Sequence, residues 1–367
     1  MEDQYYMKFA IDLAKHATGQ TSPNPVVGCV AVKNGEIIGF GAHLRAGEAH
    51  AEVNAIRMAG EDKAKGSTVY VTLEPCSHFG KTPPCSDLLI QSAVSRVVIA
   101  STDPNPLVSG KGIERLRKAG IEVDLGVCEK EALALNQVFF HHIKTGKPYV
   151  TLKTAASLDG KTATRTNESK WITGPDARMD VHQYRHKHDA ILVGVGTVLA
   201  DDPSLDTRLP NGGKNPVRII LDSHFRTPSN SKVLTDGKAP TWIVTGSNPD
   251  MEKVAALEGK EGIRVLTLPM VKVEVNALLA LLGEEGITSL FVEGGATVNG
   301  SFLKEKAIQQ VITYIAPKLI GGKAAPTLIG GEGFATMDEV VELEIKEVIR
   351  IGTDLKIVST PKLDERR

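Results

Sequence analysis

His50-Ala51-Glu52, followed by Pro75-Cys76-Ser77-His78-Phe79-Gly80-Lys81-Thr82-Pro83-Pro84-Cys85, is the stretch on which the reading of this chain turns. It offers one imidazole and two thiols. Three protein ligands are what a catalytic zinc takes when its fourth position stays open to water. Glu52 is then left over as a proton carrier. The competing reading is a closed structural site with four protein ligands, for which His78 is near enough in sequence to be the fourth.

Working outward, residues 50–59 read as a helix with Val53 and Ile56 turned inward. Val69, Val71 and Leu73 alternate along a strand that stops at Pro75. Pro83-Pro84 opens a helix over residues 85–93. His50 and Cys85 thus fall in the first turns of helices, and Cys76 is expected to begin a short turn of its own. Positive helix ends favour thiolate, the form that binds metal. Upstream, Met7, Ala10, Ile11 and Ala14 share one face of a helix over 3–17. Two strands, 26–32 and 36–41, are joined through Asn34-Gly35, a favoured hairpin pair. Strands at 96–100 and 121–127 flank a helix at 112–119. Such alternation predicts an α/β sandwich of about 140 residues. Cys29, inside a strand, and Cys128, just past one, read as packing residues.

Near residues 141–148 the pattern restarts. Strands are expected at 149–153, 190–193, 217–221, 242–244, 264–268 and 289–292, with an antiparallel pair at 342–350 and 355–359. Helices are expected after Gly174-Pro175, at 275–282 and at 301–306. Two glycine turns follow strands, Gly194-Val195-Gly196-Thr197 and Gly294-Gly295. Bare amides before a helix suit a phosphate, although a glycine pair alone is also an ordinary tight turn.

The whole chain has 367 residues, enough for two domains, and a net charge of −1. No global basic field points to nucleic acid. Met1-Glu2-Asp3-Gln4 is acidic and no apolar leader follows it, and no run approaches the ~20 apolar residues of a membrane span. Four cysteines in so long a chain predict reduced thiols and a cytoplasmic protein.

The His-x-Glu…Pro-Cys…Cys arrangement resembles the zinc nucleobase deaminases, with an eight-residue gap between the cysteines where that signature has two. Read whole with Asp103-Pro104-Asn105-Pro106, it looks like the deaminase domain of the bifunctional riboflavin-biosynthesis enzymes of the RibD/RibG type. The second half is similar too, through Leu152-Lys153, Ala156-Ser157-Leu158-Asp159-Gly160, Ser169-Lys170-Trp171-Ile172-Thr173, residues 194–203 and Val292-Glu293-Gly294-Gly295. The resemblance implies a cytidine-deaminase-like α/β/α sandwich over 1–145 and a dihydrofolate-reductase-like α/β domain over 146–367. It also implies two reactions on a phosphorylated pyrimidine: zinc-dependent deamination, then NADPH reduction of the ribosyl group.

The residues follow from it. His50, Cys76 and Cys85 would hold Zn2+, with Glu52 catalytic. Asn24, His43, His78 and Lys81 are candidates for the deaminase substrate, as loop polar residues near the site. Lys153, Ser169, Arg185, Leu205, Arg208 and Glu293 form the reductase substrate set, the arginines suiting a phosphate. Ala156, Trp171, Thr197, Asp201, Ser223, Gly295, Ala296, Thr297, Val298, Asn299, Gly300 and Ser301 would contact NADP. Ordinary structural roles compete for several: a core aromatic for Trp171, a cap for Asp201, surface ion pairs for the arginines. A homo-oligomer is expected by analogy. The rival functions are a deaminase with a non-catalytic second domain, a nucleic-acid editing deaminase, which the long cysteine spacing and balanced charge disfavour, and a structural zinc protein.

Overall fold

Met7, Ala10, Ile11 and Ala14 are all buried on one face of α1 (Glu2–Lys15) in the computed structural model. The structure describes residues 2–77, 83–105, 109–257 and 259–362, and the chain divides into two units, Met1–Gly146 and Lys147–Arg367.

In the first unit α1 leads to the hairpin β1 (Gly28–Lys33) and β2 (Glu36–Ala42). Then come α2 (Ala51–Ala59), α3 (Glu61–Ala64), β3 (Thr68–Val71), α4 (Cys85–Gln91), β4 (Arg96–Ile99), α5 (Lys111–Lys118), β5 (Glu122–Leu125), α6 (Glu129–Leu135) and α7 (Gln137–Thr145). The sheet order is β2-β1-β3-β4-β5. β1 is antiparallel to both neighbours, while β3, β4 and β5 run parallel. Side chains alternate across each strand. Cys29, Ala31, Val69, Val71, Val97 and Ile99 therefore face the layer of α2, α4 and α5. Val30, Val32, Tyr70 and Val98 face the layer of α1 and α6. Cys29 is thus a core residue, as expected.

The second unit runs β6 (Tyr149–Ser157), α8 (Pro175–Lys187), β7 (Ala190–Gly194), α9 (Val195–Asp201), β8 (Val217–Leu221), α10 (Lys232–Thr235) and β9 (Thr241–Thr245). It continues with α11 (Met251–Ala255), β10 (Ile263–Thr267), α12 (Val275–Glu284), β11 (Ser289–Val292), α13 (Ala296–Lys304), β12 (Gln310–Ala316), β13 (Leu343–Ile351) and β14 (Asp354–Pro361). Nine strands form one sheet in the order β10-β9-β8-β7-β11-β6-β12-β14-β13. The strands from β10 to β12 along it are parallel. The expected antiparallel pair, β13 and β14, closes one edge. α12 and α13 pack on one face through Leu278, Leu282 and Phe302, and α8 and α9 on the other through Val181 and Val198. Phe302 is fully buried and anchors α13, a contribution of about 2 kcal/mol.

Three expectations are corrected, and one strand is added. Cys76 lies in irregular chain, not in a helical turn. Glu52, not Val53, joins Ile56 on the buried face of α2, because helical spacing places position 52 with 55, 56 and 59. α13 begins at Ala296, five residues before the expected start at Ser301. β12, beside β6 near the middle of the sheet, was not foreseen at all. Among the described residues no helix is long and apolar enough to cross a membrane.

Candidate functional site

The first site forms where β3 ends. His50 is the N-cap of α2 in extended backbone, and Cys85 is the first residue of α4. Cys76 sits in the segment after β3, held where the amide and hydroxyl of Ser86 both donate to its carbonyl, at 3.1 and 3.0 Å. His50 Nδ1 lies 3.3 Å from Cys85 Sγ and 3.8 Å from Cys76 Sγ. All three ligand atoms fall within 4.8 Å of one another.

The Cys85 amide, at the α4 N-terminus, donates to Cys76 Sγ at 3.3 Å. A hydrogen bond from the Cys85 thiol, then those from His50 and this amide, outweigh burial and hold the Cys76 thiol well below the usual thiol range. Its hydrogen-bond partner Cys76 and burial push Cys85 well up. A divalent cation bound there would take both sulfurs as thiolates. One nitrogen and two sulfurs match the donor set that zinc takes, with one position left open.

Glu52 is 3% exposed. Burial first, then the negative charge of Cys76, raise its carboxyl to about 7. A carboxyl so placed gains and loses a proton near neutrality. His43 is buried beside His50, its ring edge-on to it at 5.2 Å between centroids. Asn24 Nδ2 lies 3.1 Å from His43 Nε2, and the Ala49 carbonyl 3.2 Å from His43 Nδ1. An amide nitrogen only donates and a carbonyl only accepts, so the imidazole is the neutral Nδ1–H tautomer. Burial lowers its pKa in agreement. Asn24 and His43 thus form a connected pair next to the metal ligands. His78 and Lys81 lie outside the described residues.

Glu74 was overlooked. Its carboxylate accepts from the amides of Gly110 and Gly112 at 3.0 Å each, Asp103 at 3.3 Å and Ile113 at 3.4 Å. A buried acid immediately before Pro75-Cys76 was the available signal.

In the second unit the C-terminal ends of β7, β11 and β6 lie side by side, where open α/β sheets take ligands. α9 starts after Gly194 and α13 after Gly295, and neither start is capped by a side chain. A Cβ at Gly194 or Gly294 would run into Val298, so the bare turns are sterically required. Glu293 projects between Lys153 and Arg185. Arg185 grips it with two bonds, Nε to Oε1 at 2.6 Å and Nη2 to Oε2 at 3.2 Å, and Lys153 Nζ stands 3.6 Å from Oε2. Burial alone would raise the Glu293 carboxyl, but Arg185 and Lys153 outweigh it and hold it at about 2. Arg185 Nη1 also donates to the Asp206 carbonyl at 3.0 Å.

The remaining expected residues divide. Ala156 is buried on β6 and Ser169 is half-buried. Thr197 and Asp201 lie on α9, and Asp201 pairs with Lys170 at 3.3 Å. Trp171 is exposed, not core, with the Arg178 guanidinium 4.5 Å from its ring centroid. Arg208 is exposed and pairs with Asp206 at 3.3 Å, while its amide donates to His182 Nδ1 at 3.3 Å. His182 was another residue not foreseen. Leu205 is buried at a φ of +50°. Ser223 follows β8, one strand beyond β7, and its hydroxyl accepts from the Val273 amide at 3.2 Å. Ala296, Thr297, Val298 and Ser301 lie on α13. Asn299 Nδ2 donates to the Leu328 carbonyl at 2.8 Å, and Gly300 is pressed against the Gly330 carbonyl. These last two therefore face the 328–330 segment.

The comparisons with known proteins agree with this geometry. Residues 1–101 match the cytidine and deoxycytidylate deaminase zinc-binding region, and residues 148–357 match the RibD C-terminal domain. The chain is 54% identical to the riboflavin biosynthesis protein RibD of Bacillus amyloliquefaciens over 98% of its length and 96% of the relative's. It is 45% identical to that of Escherichia coli K12, with 97% and 98% covered. The solved RibD of Acinetobacter baumannii superposes with a TM-score of 0.88 at 42% identity, covering 99% of each chain. A Thermotoga maritima structure, described as a diaminohydroxyphosphoribosylaminopyrimidine deaminase/5-amino-6-(5-phosphoribosylamino)uracil reductase, superposes at 0.86 with 36% identity, covering 98% of this chain and 99% of that one. With a zinc-binding deaminase unit followed by a reductase unit, the chain belongs to the RibD family, the bifunctional deaminase–reductases of riboflavin biosynthesis.

Proposed function

We propose that the unit over 1–145 deaminates 2,5-diamino-6-(5-phosphoribosylamino)pyrimidin-4-one and that the unit over 146–367 reduces the product to 5-amino-6-(5-phosphoribitylamino)uracil with NADPH. The observation that carries the reading is the convergence of His50, Cys76 and Cys85 beside a buried Glu52. Zinc, when bound there, supplies Lewis acidity to water at neutral pH. Glu52 takes one proton from the attacking water and gives it to the ring nitrogen, then takes the remaining hydroxyl proton and gives it to the departing amine, so that ammonia leaves and a carbonyl remains. The neutral His43, fixed by Asn24 and the Ala49 carbonyl, orients a polar group of the ring without competing for that proton.

In the second unit NADPH, when bound, supplies a hydride to the sugar C1′. The uncapped starts of α9 and α13 offer amides to its phosphates. Glu293 holds Lys153 and Arg185 together at one place. Most of the Arg185 fork is already engaged, so the exposed Arg208 suits the substrate phosphate better, and Glu293 with Lys153 suits the sugar hydroxyls. Lys153 and Asp201 are the candidates for the proton donor. Four free cysteines fit a reducing, cytoplasmic setting, and we expect the enzyme to work as a homo-oligomer on small molecules, without nucleic acid or membrane.

The test follows ammonia release and NADPH absorbance on one sample, with zinc measured beside them. NADPH should be consumed only after ammonia appears, with near one zinc per chain. A metal-free protein that still deaminates refutes the first half, and a failure to bind NADPH refutes the second.

A further inference from the structure

Cysteines two residues apart are fixed relative to each other by one helical turn. Cys76 and Cys85 are not, because Cys76 lies in irregular chain while Cys85 opens α4. Something else must hold the two thiols in register, and the structure offers a side chain placed for it. Arg115 lies on α5, outside the metal cluster. Its Nη1 donates to the carbonyl of Ser77, the neighbour of Cys76, at 3.2 Å. The same nitrogen stands 3.1 Å from Oδ1 of Asp87, two residues beyond Cys85 on α4. One guanidinium thus ties together the two described ends of the cysteine loop.

For such a tie to transmit position, its own helix must be fixed. α5 is fixed from both sides. Ile113 and Leu116 are buried in the core that α2 and α4 share. The amides of Gly112 and Ile113 in its first turn are taken by the carboxylate of Glu74, which also holds Gly110 and Asp103. Gly112 lies directly against the Pro75 carbonyl, where a Cβ would overlap it. Glu74 and Pro75 are the residues immediately before Cys76. α5 is therefore registered to the chain before Cys76 by Glu74 and to the chain after Cys76 and Cys85 by Arg115.

We propose that Arg115 is a positioning residue of the deaminase centre: with Asp87 and the Ser77 carbonyl it forms a brace, seated on the Glu74-capped α5, that sets the spacing of the two thiolates. The proposal rests on the zinc reading above. The Arg115–Asp87 pair is partly open to solvent, its side chains 42% and 24% exposed, so removing it costs little fold stability. Its effect should fall on the metal, since groups that orient ligands commonly change metal affinity by about 10- to 100-fold.

The experiment loads the full chain with zinc and measures its transfer to a colorimetric chelator. Arg115→Ala and Asp87→Ala should each release zinc about tenfold faster than wild type, Arg115→Lys by less, and the double variant no faster than Arg115→Ala alone. The cobalt-substituted protein should show an altered thiolate-to-metal absorption band in Arg115→Ala. Val123→Ala, which loosens the same core from β5, should leave that band unchanged. Far-UV circular dichroism and a cooperative thermal transition like that of wild type report that each variant is folded. Should Arg115→Ala not fold, Arg115→Lys and Asp87→Asn carry the same comparison. Zinc release within twofold of wild type in these variants, or an equal cobalt change in Val123→Ala, overturns the brace while leaving the zinc reading intact. A wild-type chain that holds no zinc overturns both.

Discussion

Replacing Glu293 with Gln keeps the volume of the side chain and deletes one buried charge. Two cations, Lys153 and Arg185, then face each other without their counter-ion. The Glu293 carboxyl is held at about 2 against an ordinary 4.5. A gap of that size corresponds to roughly 3 kcal/mol of preference for the ionised form in the folded unit, at about 1.4 kcal/mol per pH unit. Breaking a buried pair from one side typically costs about 3–5 kcal/mol, the same range. The assay is urea unfolding followed by tryptophan fluorescence. Both tryptophans, Trp171 and Trp242, belong to the second unit, so the signal reports that unit alone. At neutral pH Glu293→Gln should lower its stability by about 3 kcal/mol. Because the folded pKa is depressed, the wild-type advantage is fully present above pH 4.5 and lost as pH falls through 2, so the two proteins should converge in acid. A variant within about 0.5 kcal/mol of wild type at neutral pH would refute the claim that this carboxylate is what compensates the two cations.

Other outcomes are expected from single features. Glu52→Gln should reduce ammonia release at least about 100-fold, while zinc content and the NADPH-linked reduction of separately supplied deaminated intermediate stay near wild type; loss of the metal would show Glu52 to be part of the ligand cage. His188 is buried, lies 2.8 Å by Nδ1 from the Tyr184 carbonyl and 3.0 Å by Nε2 from the Thr151 hydroxyl, and is depressed by burial to about 4. Its neutral form therefore contributes up to about 3 kcal/mol that is present above pH 6.5 and lost as pH falls towards 4, a slope that His188→Gln should flatten in the fluorescence assay. Gly300→Ala forces a methyl into the Gly330 carbonyl and should cost about 1–3 kcal/mol and weaken NADPH in a binding titration; unchanged values on both counts would mean that α13 can shift freely.

The first site was readable in the sequence because its chemistry is carried by residue types that have few other uses in that order. Its supports were not. Glu74 and the amides it holds are 29 to 39 positions apart, and an acid before a proline carries no periodic signal. The Glu293–Arg185 pair spans 108 positions, so each residue could be nominated and the pairing could not. α13 was placed late because Thr297, Val298 and Gly300 are poor helix formers. Packing overrides that preference: Val298 fills the space under Gly194 and Gly294, and Gly300 lets the helix approach residue 330. β12 differs, since Gln310–Ala316 is rich in β-branched residues with alternating burial, a pattern that was available and passed over.

The position of β11 between β7 and β6 governs how the chain can assemble. Tyr149 of β6 pairs with Ser289, and Thr151 with Gln310, so the first strand of the second unit waits for partners that are made much later. At about 5–20 residues per second on the ribosome, β6 and β7 stand with open edges for roughly 10 s before β11 emerges to join them. The first unit, whose strands pair over shorter separations, is complete before β6 exists. Synthesis thus delivers a folded deaminase tethered to a reductase with its central slot unfilled. That interval, not the finished fold, is when exposed strands are most open to aggregation.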